Sequence, residues 1–215
     1  MIGKRIGLPL LACLVAGGCG GSGSTHSSTL SIRSSAAATA AQNPPGAPSG
    51  LAGIRGRTLI ANELKGFSPS GQRQAGFTPA SWVVVDQVPS TQRASVLATL
   101  QRLGFVAGVR EDLVGPDGLA GLSTVEQYRT ASGAHAELTA VATTLTGPGT
   151  KRLSVAGVPG ARGYDNAGTA ANIVFAEGAY FYLVGTQEAP SGTPGAPNQA
   201  TLAAAAQSLY RRVHQ

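Results

Sequence analysis

Both cysteines of this 215-residue chain, Cys13 and Cys19, fall before residue 20. The remainder can close no disulfide within itself and offers no thiolate to a metal, so a folded domain there must be held by packing. Where a core can form is narrowed further by residues 20–54, which are Gly, Ser, Ala, Thr and Pro with few large apolar side chains and one charge, Arg33. A stretch of that composition cannot bury enough surface to offset its ordering entropy and is expected to be a disordered tether. As a flexible coil of about 35 residues it would reach roughly 30–35 Å. Folding is thereby confined to residues 55–215, one domain of ordinary size.

What precedes the tether has its own order. Met1 to Arg5 is a short positive head, Ile6 to Ala16 is an apolar run, and Gly17-Gly18-Cys19 closes it with small residues and a thiol. That layout is expected of a secretory signal peptide over residues 1–18, and the run is too short to span a bilayer. Small residues directly before a cysteine resemble the lipobox of bacterial lipoproteins. The resemblance implies cleavage before Cys19, acylation (palmitate) of that residue, and a mature protein held by its lipid on the extracytoplasmic face of the cell membrane, with 19–54 as the tether. Cys13 follows Leu10-Leu11-Ala12, which fits the local pattern, but cleavage there would leave only about six apolar residues against the usual 7–15. Plain secretion, with cleavage after Ala16 or Gly18, is the remaining alternative.

Charge excludes some partners. The whole chain carries +6; without Lys4 and Arg5, 14 basic residues face 10 acidic ones, a net +4. The arginines are scattered, Arg211-Arg212 being adjacent, and no basic run interleaves with aromatics, so nucleic acid is not expected as a partner. A mild positive balance suits anionic lipid headgroups or wall polymers.

Periodicity predicts the elements. Leu59 to Phe67 reads as a short helix or turn, Ser68 to Pro79 as loop, and Trp82-Val83-Val84-Val85 as a strand. Ser90 is expected to cap a helix whose Val96, Leu97, Leu100 and Leu103 share a face and which stops at Gly104. Phe105 to Val114 and Leu119 to Arg129 read as strands around a Gly115–Gly118 turn. Ser132 is expected to cap a helix with Ala134, Leu138, Val141 and Leu145 as its stripe, broken by Gly147-Pro148-Gly149. Leu153 to Val155 reads as a strand, Gly157 to Tyr164 as a Gly-rich loop, and Asn172–Ala176 with Ala179–Val184 as a hairpin around Glu177-Gly178. After a Pro190–Pro197 loop, Asn198 is expected to cap a helix with Leu202, Ala206, Leu209 and Val213 on one face. Helices separated by strand pairs predict an α+β domain: an antiparallel sheet with three main helices packed on it, preceded by the tether.

No stretch supplies catalytic chemistry. His26, His135 and His214 are too dispersed to share a metal, and no HExxH, GxSxG, SxxK or EF-hand pattern occurs. Gly157-x-x-Gly160-x-x-Gly163 lacks the order of a dinucleotide loop and contains Pro159; in Gly147-Pro-Gly-Thr-Lys151 the lysine follows Thr instead of preceding it. Glu111 and Asp112 are neighbours and point to opposite faces of a strand. No catalytic residue, metal or cofactor is therefore expected, and the chain is read as a non-enzyme. In the hairpin, Tyr180 and Tyr182 share one face while Phe181 and Leu183 share the other. If the latter face helices, the tyrosines look outward or into a groove beside the Gly157–Tyr164 loop. There Tyr164, Tyr180 and Tyr182, with Arg162 and Asp165 as polar anchors, form a candidate ligand face.

Val158-Pro159-Gly160-Ala161, Ile173-Val174-Phe175, Gly178-Ala179-Tyr180-Phe181-Tyr182-Leu183-Val184-Gly185 and Leu209-Tyr210 are similar to a pattern in uncharacterised envelope lipoproteins of high-GC bacteria. Val125 to Leu138 is similar to the strand-then-helix segment of extracellular sensor-like domains in the same bacteria. The element order also resembles the superfold of photosystem extrinsic subunits, an antiparallel sheet between helices. These resemblances imply a membrane-anchored extracytoplasmic domain that binds an apolar or lipid-like ligand without catalysis. The alternatives are an envelope adaptor or sensor that binds another protein and, remotely, a hydrolase.

Overall fold

The structure, a computed structural model, describes residues 51–187 and 199–215 apart from residues 61, 72, 117, 118, 167 and 168. Cys13, Cys19, most of the expected tether, the Pro190–Pro197 loop and the Asn198 cap lie outside the described residues. Eight strands make one antiparallel sheet: β1 (Ser68–Pro69), β2 (Gln74–Gly76), β3 (Phe105–Val114), β4 (Ala120–Tyr128), β5 (Thr150–Leu153), β6 (Arg162–Asn166), β7 (Ala170–Glu177) and β8 (Tyr180–Gln187). Their order is β1-β3-β4-β8-β7-β6-β5, with β2 pairing farther along the same strand, β3, that β1 pairs with. The helices are α1 (Leu51–Arg55), α2 (Pro79–Val85), α3 (Arg93–Leu103), α4 (Ala131–Thr144) and α5 (Gln199–Val213). The expected α+β class, with α3, α4 and α5 as the main helices on an antiparallel sheet, is what forms.

Helices cover both faces, so alternate residues of the central strands enter two separate cores. Val109, Val125, Ile173, Phe175, Tyr182 and Val184 meet α1, the 59–64 segment and the Leu202/Ala206/Leu209 stripe of α5. Leu122, Tyr128, Val174, Phe181 and Leu183 meet Trp82 of α2, Leu100 of α3 and the expected Ala134/Leu138/Val141 stripe of α4. These are called below the α5 face and the α4 face. The N-terminal boundary shifts: Ile54, placed in the tether by its Gly/Ala surroundings, is buried in the α5-face core, and order is already present at Leu51.

Several local expectations are overturned. Trp82 to Val85 is helix, because Thr78 takes the N-cap with a reciprocal Ser81 capping box and Pro79 occupies the first turn; these outweigh the β propensity of three valines. The 68–79 segment is not all loop: β1 and β2 pair with β3. Gln92, not Ser90, precedes α3, and Thr130, not Ser132, caps α4 by accepting from Gly133 N. The strand expected at Leu153–Val155 lies earlier, at Thr150–Leu153. The last three residues of the expected Gly157–Tyr164 loop are strand: β6 begins at Arg162, with Gly163 set close against Leu153. The hairpin is present with its turn one residue later, at Gly178-Ala179, since Glu177 pairs with Tyr180 and Gly178 takes a φ of +55°. Where expectation and structure coincide, as at β3 and at the Gly104 C-cap with φ +78°, apolar period and glycine agreed.

Trp82 reaches the sheet because Gly108 of β3 has no side chain beneath it; a Cβ there would stand 2.6 Å from the indole. Gly108→Ala is expected to cost about 1–3 kcal/mol through overpacking, read as a lower urea midpoint at unchanged slope. An unchanged midpoint would show that the indole does not lodge on that strand.

Candidate functional site

On the α4 face, β4 presents Leu122, Thr124, Glu126 and Tyr128 in alternation. A central strand covered by helices must bury whatever stands there, and here two of the four side chains are polar and a third carries a phenol. Glu126 is 5 % exposed. Its Oε1 accepts a 2.9 Å hydrogen bond from Trp82 Nε1 of α2, and a hydrogen bond joins its Oε2 to the Tyr128 hydroxyl. Glu137 enters from the buried stripe of α4 and is 8 % exposed. Its Oε2 and the Thr124 hydroxyl have no hydrogen-bond partner. Both residues line a cavity of ≈ 30 Å³ with Trp82, Asp86, Glu126 and Phe181. That is room for one or two waters at about 10–15 Å³ each.

Asp86, the residue that ends α2, connects this cluster to an ion-pair chain. Arg110 of β3, itself buried, donates to the Asp86 carbonyl at 3.1 Å, pairs with its carboxylate at 3.4 Å and pairs with Asp112 at 2.8 Å. Burial pushes the Asp86 carboxyl up to about 6 against the pull of Arg110. Burial raises Glu126 well above the usual carboxylate range, and the negative charges of Glu137 and Asp86 add to it, while the bonds from Tyr128 and Trp82 oppose. Glu137 rises to about 7, again chiefly by burial, with Tyr128 and the Arg102 charge opposing. The Tyr128 phenol is raised by burial and by both glutamates. Such a constellation can hold a proton or order water.

The residues expected to form one ligand face are divided by the sheet. Tyr164 and Arg162 stand on β6 on the α4 face, Tyr164 buried and Arg152 6.0 Å over its ring. Tyr180 and Tyr182 are buried on the α5 face. Asp165, one residue from Tyr164, points with them and accepts from Gln199 Nε2 of α5 at 2.7 Å. The shared face of Tyr180 and Tyr182 is as expected; their outward orientation is not, because α5 covers them. The Tyr182 hydroxyl accepts from Arg57 at 2.9 Å, the Arg57 guanidinium sits 4.1 Å from the Tyr180 ring centre, and burial pushes the Tyr182 phenol up to about 12. His135 is exposed on α4, His214 contacts Glu177 at 2.9 Å, and His26 lies outside the described residues.

Glu126 and Glu137 were legible as misplaced charges. Glu126 shares the strand period of Leu122 and Tyr128, and Glu137 lies three residues after Ala134 and four before Val141, inside the apolar stripe. The signal was a carboxylate in register with a core face.

No family model matches the chain, and no curated protein matches it. Among solved structures the chain is similar to the extracellular domain of PknH from Mycobacterium tuberculosis, at a TM-score of 0.47 and 12 % sequence identity, over 77 % of this chain and 98 % of that one.

Replacing Arg110 by Met leaves Asp86 without its cation. Breaking a buried pair costs about 3–5 kcal/mol, and because Asp86 and Asp112 side chains keep 21 % and 34 % exposure the low end is expected. Chemical denaturation of Arg110→Met checks it, and adding Asp86→Asn should recover part of the loss.

Proposed function

We propose that the chain is a lipid-anchored, non-catalytic extracytoplasmic domain that recognises an envelope partner at its surface. The anchoring half rests on residues 4–19, where positive head, apolar run, small residues and Cys19 follow in the order that export and acylation require. The composition of residues 20–54 supports a tether between lipid and domain. Among the described residues no helix is long and apolar enough to cross a membrane.

The recognition half is carried by one observation: the α4 face holds a cavity of ≈ 30 Å³ where an internal ligand would need far more. Small-molecule pockets occupy about 300–1,000 Å³. Among the described residues, an apolar or lipid-like ligand at that cavity would require a helix to lift off the α4 face, so a surface contact of the adaptor or sensor type is favoured. Phe77 and Val84, 55 % and 59 % exposed at the start and near the end of the α2 segment, are the most exposed of the described large apolar side chains.

Two measurements test the two halves separately. Metabolic labelling with a palmitate analogue should mark the wild type and the Cys13→Ser variant and be lost in Cys19→Ser; label retained in Cys19→Ser removes the anchor assignment. Native mass spectrometry of the exported Cys19→Ser chain should give the bare protein mass. A reproducible extra mass that leaves on denaturation would instead make the domain a carrier.

A further inference from the structure

The two faces of the sheet treat buried acids differently. On the α5 face Glu111 pairs with Arg73 at 2.7 Å, Glu63 with Arg212 at 2.8 Å, and Asp165 accepts from the Gln199 side-chain amide. On the α4 face Glu126 receives, among the described residues, only the Trp82 and Tyr128 hydrogen bonds. The groups around it are Tyr128 on its own strand, Asp86 from α2 and Glu137 from α4; Arg102 of α3 acts on Glu137, and Arg110 of β3 is committed to Asp86 and Asp112. The Tyr128 hydroxyl is bonded to Glu126 and feels the charge of Glu137 as well, whose Oε2 has no hydrogen-bond partner. That hydroxyl has one hydrogen and so can satisfy one carboxylate, not two. A second proton completes the set, and Glu126, the acid without a cation, is where it belongs.

We propose that Glu126, Tyr128 and Glu137 form a proton-sharing chain that locks α2 and α4 onto the sheet, and that loss of its extra proton loosens them. The Glu126 carboxyl hydrogen on Oε2 is donated to the Tyr128 oxygen, and the Tyr128 hydrogen turns to Glu137. The trio then carries one negative charge, which Arg102 faces, instead of two. Three elements meet at this point: Trp82 and Asp86 belong to α2, Glu137 to α4, and Glu126 with Tyr128 to β4. Asp86, partly exposed at the cavity wall, offers water and protons a route in.

The sign of the pH response follows. Both glutamates have folded-state values raised above the ordinary carboxylate range, so the folded form holds protons that the unfolded chain releases. The stabilisation is complete below the unfolded value of about 4.3 and is lost as pH rises through the folded values, of which Glu137 lies at about 7. Each proton released on unfolding lowers the folding equilibrium about tenfold per pH unit in that window.

Thermal and urea unfolding of the full exported chain over about pH 5–9, in wild type, Glu126→Gln and Tyr128→Phe, tests the proposal, together with the infrared band of a protonated carboxyl at neutral pH. Wild type should lose stability as pH rises and show the band. Glu126→Gln, a permanent neutral donor, should flatten the slope and remove the band. Tyr128→Phe should change the slope as well as the midpoint. If Glu126→Gln does not fold, the wild-type band decides alone. Absence of that band, or variants that shift the midpoint equally at every pH, overturns the proposal. So does a slope abolished by added sodium, potassium or ammonium, which would assign the cavity to a cation.

Discussion

Everything in this domain follows from a sheet with helices on both faces. In a one-sided antiparallel sheet alternate residues meet water, and polar side chains have a free place to go. Here β4, β8 and β7 have no wet side, so nearly every residue between their ends enters one core or the other. Tyr182 and Phe181 are equally buried though they point in opposite directions. A polar side chain on these strands must find its partner inside the protein or remain unpaired at a cost of about 1–3 kcal/mol.

The α5 face solves this with arginines from outside the sheet. Arg57 binds Tyr182, Arg73 binds Glu111, and Arg212 joins Glu63 to the backbone carbonyls of Gly56 and Thr58. Those bonds tie the segment that follows α1 to the last turn of α5, so the point where the N-terminal stretch enters the domain is fastened to the other end of the chain. Glu111 also accepts from Thr58, and Ser123 accepts from the Leu59 amide, which fixes the same segment on the strands. The α4 face has no such supply. Its helices bring Trp82 and Glu137, one indole donor and one more acid, and Arg110 is spent on Asp86 and Asp112. A neutral acid is the arrangement that a low-dielectric site short of cations favours.

Much of the framework was legible in the residues. Gly104 ended α3, the apolar period bounded β3 over Phe105–Val114, and the stripes of α4 and α5 are buried but for Val213, which is half-buried. The partition of Tyr180 and Tyr182 from Phe181 and Leu183 was also readable, since strand alternation needs no tertiary information. The errors have physical causes. At Trp82–Val85 the side-chain propensity for strand was read without the Thr78–Pro79–Ser81 cap that precedes it, and backbone capping won. At β6, Gly163 looked like loop glycine, but it is the place where Leu153 of the neighbouring strand packs too closely for any side chain. The five candidate ligand-face residues do not share one face, because Arg162, Tyr164 and Asp165 lie on a strand, which sends Asp165 to the side opposite Tyr164.

Local order along the chain fixed the class, the helix stripes and the two hairpin pairings β3–β4 and β7–β8, because these depend on periods of two and three to four residues and on glycines at turns. One carboxylate on each of β4 and α4 also stands in register with apolar neighbours, a signal present in the sequence that was not used to place a site. Local order could not say that both sides of the sheet would be covered, since that depends on where α5 and α2 dock after long excursions in sequence. Burial of Tyr180 and Tyr182, the division of the aromatic face, and the meeting of Glu126 with Glu137 all follow from that docking. A carboxylate's protonation is set by the groups around it in space, and those groups come from α2, α3, α4 and two strands, brought together only when the layers close.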